Sequence, residues 1–250
     1  MRVIKGIILK KQDRGEADEL VIFFSRELGW LRGIAKNAKK SRLRFGGHLE
    51  TFSLVELVIR SRKKDDMVWI DDAQVLQGFL GLRSDIARVA RAAYFLELAS
   101  AFLPEGQPDP DLFDFLCRFL ADLENAPVSP LQFLIDEVRL LALLGYAPRF
   151  DSCPVCEKTL APGEDAVFSL TMGGACHPGC VDVMERVKLF LSPDTLAVMR
   201  RGLELQAEAA SRLRLSNKGR QELRSVLAAF VRQLRGKELN SLAFLENMGL

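Results

Sequence analysis

The sequence predicts an α+β multidomain chain: an N-terminal five-stranded barrel, then an all-α domain carrying a small zinc-binding module. Three observations carry this. The first 80 residues hold five β-rich runs, the hydrophobic period lengthens to three and four after residue 78, and four of the five cysteines fall between 153 and 180. The expected boundaries are 1–80 for the barrel, 81–150 and 182–250 for the helical domain, and 151–181 for the inserted module.

The strands come first. Arg2 to Lys11 is a β-branched run ending in the polar turn Gln12-Asp-Arg-Gly15, and Glu19 to Ser25 is a second run. Glu27-Leu-Gly29 turns into Trp30–Ala35, the third. A basic loop containing Gly46-Gly47 leads to the alternating run Thr51–Arg60. After the turn Arg62–Asp66 comes the fifth strand, Met67–Asp71. Five strands with one long connection between the third and fourth fit a small closed barrel of the OB-fold type, and an SH3-like barrel shares the pattern.

Residues 84–103 then keep apolar neighbours at helical spacing until Pro104 to Pro110 ends the helix. Asp111–Leu123 is a second helix and Pro130–Leu144 a third, with Ser129 as N-cap, Pro130 at the first helical position and Gly145 closing it. Beyond the cysteines, Ser192 caps a helix to Leu203, and a last long helix runs from about Asn217 to Leu234. Cys117 lies in an apolar helical pattern and reads as a small core residue.

Cys153-Pro-Val-Cys156 and Cys176-His177-Pro-Gly-Cys180 are two tight groups of soft ligands on turns that Pro154 and Pro178-Gly179 favour. A connector long enough to fold back joins them, as one tetrahedral Zn²⁺ per chain requires. Cys153 and Cys156 form the secure half. Cys180 pairs with either His177 or Cys176, since both spacings close on one metal. A site with every position filled by protein is structural, because a catalytic zinc keeps a position open for water.

The charge is unevenly placed. Residues 1–80 hold 16 Lys/Arg against 11 Asp/Glu, residues 81–180 hold 7 against 14, and residues 181–250 hold 12 against 8. Between 30 and 48 stand Arg32, Lys36, Lys39, Lys40, Arg42 and Arg44 with no acid among them. Such a field of one sign suits a polyanion, with single-stranded nucleic acid the usual ligand of a basic five-stranded barrel. Trp30, Phe45 and Trp69 lie in or beside this face as stacking candidates, although each also fits barrel core, the reading favoured for Trp69. Phosphate-loop, dinucleotide and H-E-x-x-H motifs are absent. The carboxylate doublets Asp65-Asp66 and Asp71-Asp72 offer a weak case for a metal-dependent nuclease. The chain therefore reads as a binding module and not an enzyme. The cysteine usage, with no signal-type start and no apolar run of membrane length, leads us to expect a soluble cytoplasmic protein.

The order of parts resembles the RecO family of bacterial recombination mediators along the whole chain. The resemblance is carried by Gly6-Ile-Ile-Leu-Lys10, Gly15-Glu-Ala-Asp18, Gly29-Trp-Leu-Arg-Gly-Ile-Ala-Lys-Asn-Ala38, Leu143-Leu-Gly-Tyr-Ala-Pro-Arg-Phe-Asp151 before the first cysteine pair, and Phe168-Ser-Leu-Thr-Met-Gly-Gly174 before the second. In zinc-bearing members that glycine pair is followed by two residues and then Cys-x-x-Cys. That register places His177 on the third ligand and Cys180 on the fourth, with Cys176 as an adjacent substitute.

The resemblance implies a nucleoid-associated protein that binds single- and double-stranded DNA and anneals complementary strands. It further implies engagement of the C-terminal tail of single-strand-binding protein, and work with RecR to load RecA onto coated DNA. Arg88, Arg91 and Arg139 are possible rim residues for that tail. Arg212, Arg214, Lys218, Arg220 and Arg224 offer a second basic surface, or else a solvated helix face. The reading from another class is an RNA-binding or transcription-associated zinc-ribbon protein built on the same barrel.

Overall fold

The computed structural model describes residues 1–61, 67–125, 129–181 and 188–249, in two compact units, Met1–Pro127 and Val128–Leu250. The expected turn at 62–66, with Asp65 and Asp66, lies outside the described residues.

The first unit begins with β1 (Arg2–Arg14), β2 (Asp18–Ser25), β3 (Gly29–Ala35), β4 (Leu54–Ser61) and β5 (Met67–Gln77). They close an OB-like barrel in the order β1-β2-β3-β5-β4. All pairs are antiparallel except β3 with β5, where Arg32–Ala35 run parallel to Met67–Ile70. Side chains alternate about the barrel wall, so Val55, Leu57 and Ile59 of β4 are buried while their neighbours are only partly so. β1 continues three residues past the expected Lys11 and β5 six past the expected Asp71. Polar Gln12–Arg14 carries no strand signal of its own and Asp72–Gln77 only a partial alternation, and cross-strand pairing to β2 and β4 holds both extended.

The connection between β3 and β4 is more ordered than a loop. It contains a one-turn helix, α1 (Arg42–Phe45). Phe45, Leu49 and Ala38 turn inward and join Ile4, Ile8, Phe23, Val55 and Leu57 in the barrel core. The segment therefore plugs one end of the barrel.

Two helices complete this unit: α2 (Ile86–Phe102), capped by Asp85 accepting from the Ala87 amide at 2.8 Å, and α3 (Pro110–Asn125). They stack on each other through Phe95 and Phe119, whose rings lie 3.8 Å apart and nearly parallel. They meet the barrel through Phe24 and Phe113, through Arg26, whose guanidinium forks onto Asp114 at 3.0 and 3.1 Å, and through Arg83, which reaches the Thr51 carbonyl. Gly29 permits this approach. Its φ is +72°, and a Cβ there would fall 2.1 Å from the Gln107 carbonyl oxygen. Cys117 on α3 is only partly buried, yet burial pushes its thiol up to about 12, leaving it inert.

The second unit contains α4 (Pro130–Leu143), then β6 (Ala166–Ser169), β7 (Gly174–Cys176) and β8 (Leu189–Leu191), then α5 (Pro193–Glu204), α6 (Ala207–Ala210), α7 (Asn217–Arg235) and α8 (Asn240–Asn247). The strands form an antiparallel sheet ordered β7-β6-β8. It was not expected from the sequence, because strands of three and four residues are too short for a periodic signal. β6 is wholly buried, with Phe168 packed between Phe150 and Phe230 of α7 at 5.9 and 5.5 Å. Ser129 caps α4 as expected, accepting from the Gln132 amide at 3.1 Å.

Ser192 does not cap α5 in the expected manner. Its hydroxyl donates instead to the Glu222 carboxylate of α7, as does that of Thr195, at 2.8 and 2.7 Å, and the Ser192 amide donates at 3.0 Å. The cap is thus supplied from another helix, a partner that local spacing cannot reveal. Burial works to raise the Glu222 carboxyl pKa, but these three donors outweigh it and hold the group below its usual range. Stability from this network is therefore present above the unfolded carboxyl value and lost as pH falls through the lower folded value. Replacing Glu222 by Gln is expected to lower stability at pH 7 by about 1–3 kcal/mol and to flatten the acid limb of the stability–pH profile, measured by urea unfolding between pH 3 and 7.

Candidate metal centre and nucleic-acid interface

Two knuckle turns in the second unit bring the soft ligands together. Around the first pair, Ser152 bridges to Thr159, the Cys153 amide donates to the Lys158 carbonyl at 2.9 Å, and Glu157 takes a φ of +59°. Around the second, Pro178–Cys180 forms a 3₁₀ turn in which the Cys180 amide donates to the His177 carbonyl at 2.9 Å. Cys153, Cys156, His177 and Cys180 thereby place one donor atom each within 4.8 Å of the others. His177 Nδ1 is 3.4 Å from the Cys156 sulfur. A tetrahedral ion with bonds of roughly 2.3 Å to sulfur and 2.0 Å to nitrogen needs donors about 3.6 Å apart, so the four side chains fit a metal.

Backbone amides of Cys156, His177 and Val155 converge on Cys153 and, against its burial, draw its thiol down to about 6. That favours the thiolate a metal requires. The far side of the His177 ring faces Glu164, with Nε2 3.8 Å from Oε2, and the same carboxylate oxygen accepts from the Ala161 amide. Cys176 lies apart from this group. It is buried in β7, paired in register with Val167, and its thiol points to the Gly174 carbonyl. Cys176 ends the wholly buried β7, and His177, the residue leading into the 3₁₀ turn, is the one that groups with the knuckle.

The basic segment of the barrel sorts into engaged and free cations. Arg32 pairs with Glu105 at 3.1 Å, Lys39 with Asp13 at 2.9 Å and with the Gly15 carbonyl, and Lys36 lies 4.3 Å over the Trp69 ring. Arg44 is a brace: it donates to Ser41 Oγ and to the carbonyls of Asp71 and Lys36, and lies over the Phe45 ring. Among the described residues, no ion pair or side-chain hydrogen bond engages Lys40 or Arg42. Between Arg42 and Arg44 stands Leu43, 93% exposed.

Two of the three aromatic candidates are core. Trp30 packs against Phe24 at 4.5 Å and Phe45 plugs the barrel, while Trp69 is half-buried beneath Lys36. The nuclease pair is also accounted for. Arg60 clamps Asp71, at 2.7 Å through one nitrogen, and holds its carboxyl below the usual range, while Asp72 accepts from the Ala73 amide. Arg88 is tied to the Glu124 carbonyl, and Arg139 to Asp136 and to the carbonyls of Gly202 and Leu205. Arg214, Arg220 and Arg224 donate to carbonyls of their own unit, and Lys218 stays exposed beside Glu222.

The fold and candidate site define a two-unit protein, one unit a closed OB-like barrel with a basic plug and the other bearing a Cys₃His group that could hold a metal. Residues 1–79 match the family described as Recombination protein O N terminal, and residues 83–243 that described as Recombination protein O C terminal. The chain belongs to this family, the DNA repair and recombination family RecO. It is 32% identical to the DNA repair protein RecO of Syntrophus aciditrophicus, across 98% of this chain and 95% of that one. It is 35% identical to that of Anaeromyxobacter dehalogenans strain 2CP-C (98% and 96% covered) and 34% to that of Myxococcus xanthus (98% and 97%). Among the described residues no helix is long and apolar enough to cross a membrane.

The division between brace and free cation has a stability signature. Arg44→Ala is expected to lower unfolding free energy by about 1–3 kcal/mol through its orphaned partners. Arg42→Ala should stay within about 0.5 kcal/mol of the parent in the same denaturant titration.

Proposed function

We propose that this protein is a non-enzymatic recombination mediator acting in the cytoplasm on nucleoid DNA. It binds single- and double-stranded DNA and anneals complementary strands. With RecR and the C-terminal tail of single-strand-binding protein as partners, it assists loading of RecA on coated single strands. The observation that carries this reading is family membership over nearly the whole chain, joined to a barrel whose plug presents cations outward. Lys40 and Arg42 contact phosphates first, and Lys36, Lys39 and Arg32 add charge while already paired. Annealing requires screening of strand–strand repulsion, which cations fixed on a rigid barrel supply.

The metal in this proposal is one structural Zn²⁺ per chain, held by Cys153, Cys156, His177 and Cys180, with Glu164 orienting the His177 ring from behind. It would fasten the two knuckles together and leave no open coordination position.

Two measurements test the proposal. Lys40→Ala with Arg42→Ala is expected to weaken single-strand binding and make its log–log salt dependence shallower by about 1.4, with annealing of fluorescent oligonucleotides slowed in step. An unchanged salt slope in the folded variant, or tight binding of structured RNA without faster DNA annealing, would overturn it. Elemental analysis should find one zinc per folded chain, and Glu164→Gln should weaken zinc retention against a chelator by roughly 10- to 100-fold.

A further inference from the structure

The second unit carries a groove that the barrel-based reading does not use. One wall is the edge strand β8 with the residue before it: Lys188 and Phe190 are exposed while Leu191 turns inward. The other wall is one face of α7, where Lys218, Gln221 and Ser225 recur at helical spacing and are likewise exposed. Together they line a recess of about 240 Å³.

Phe190 is the feature that needs explaining. It is 62% exposed, although it sits in a strand paired directly to the buried β6. It shares the groove lining with Lys188 and Lys218, and among the described residues no anion pairs with Lys188. The one carboxylate in the lining, Glu222, turns its Oε2 inward to three donors from Ser192 and Thr195, and its other oxygen is 3.9 Å from Lys218. The open side of the groove is therefore cationic.

We propose that this groove is a second binding site for single-stranded nucleic acid. A base stacks on the Phe190 ring, adjoining phosphates lie against Lys188 and Lys218, and the Gln221 amide and Ser225 hydroxyl meet base or sugar edges. This is the pairing of aromatic platform and basic groove that recognises single strands without sequence preference. An apolar peptide end would instead need an enclosed aliphatic recess, and this groove is open and polar on its helical wall. The inference deepens the mediator reading and rests on it: annealing handles two strands, and this site gives the second unit a strand of its own.

The test uses the full-length chain, a short oligo-deoxythymidine, and 5-iododeoxyuridine photocrosslinking with peptide mapping. Crosslinks are expected at β8 and α7 as well as on the barrel. In the Lys40→Ala, Arg42→Ala background, residual oligonucleotide affinity should fall roughly five- to hundredfold with Phe190→Leu and recover with Phe190→Trp. Lys188→Gln with Lys218→Gln should make the residual salt slope shallower by about 1.4. The inference is overturned if that background binds no oligonucleotide, or binds it indifferently to Phe190→Leu. It is equally overturned if crosslinks map to the barrel alone, or if Phe190→Leu abolishes binding of an acidic, aromatic-ended peptide while sparing the oligonucleotide. Failure of the mediator reading looks different, because wild type and the Lys40/Arg42 variant would then bind DNA alike.

Discussion

The barrel closes around a plug made from a segment of its own sequence that carries cations and no acid. Ala38, Phe45 and Leu49 enter the core to fill one end, and the backbone between Ala38 and Phe45 makes the turns that lead into α1 and leave Lys40, Arg42 and Leu43 exposed. Arg44 makes this compatible. Its guanidinium satisfies three acceptors left by the turn, and its charge rests over the ring it helps to bury. Packing and electrostatics thus share one stretch of chain. A cluster of six cations resolves into residues that build the loop and residues that face the solvent.

The same sorting explains what was legible in the sequence. Alternating apolar runs gave all five strands, because each barrel strand buries one face. The helices α2, α3, α4, α5 and α7 were legible from their periods, and α4 from its cap as well. The short strands β6, β7 and β8 were not, and neither was α8, since a run of three to eight residues leaves too few repeats of any period. Trp30 and Phe45 were plausible stacking residues only while their depth was unknown. An aromatic beside a lysine reads alike whether it is core or platform, and Phe190, the most exposed phenylalanine, lay in a strand too short to be seen.

The cluster of candidate ligands was legible to a greater degree, because knuckle spacing is a chemical requirement and not a packing preference. What spacing left open was the choice between adjacent Cys176 and His177. Cys176, the last residue of β7, is buried with its thiol toward the Gly174 carbonyl, while His177, just past the strand, groups with the other three donors.

The parallel pairing of β3 with β5 has a kinetic side. β1, β2 and β3 form a meander of short connections, and β4 and β5 are partners at a short separation in the chain, but Arg32–Ala35 and Met67–Ile70 are separated by the whole plug segment. That contact spans some 35 residues and the β1–β4 pairing some 47 to 57, so shutting the barrel carries a loop-closure entropy that the meander does not. The pairings that shut the barrel are therefore its slow step, and the β1–β2–β3 meander can form ahead of them.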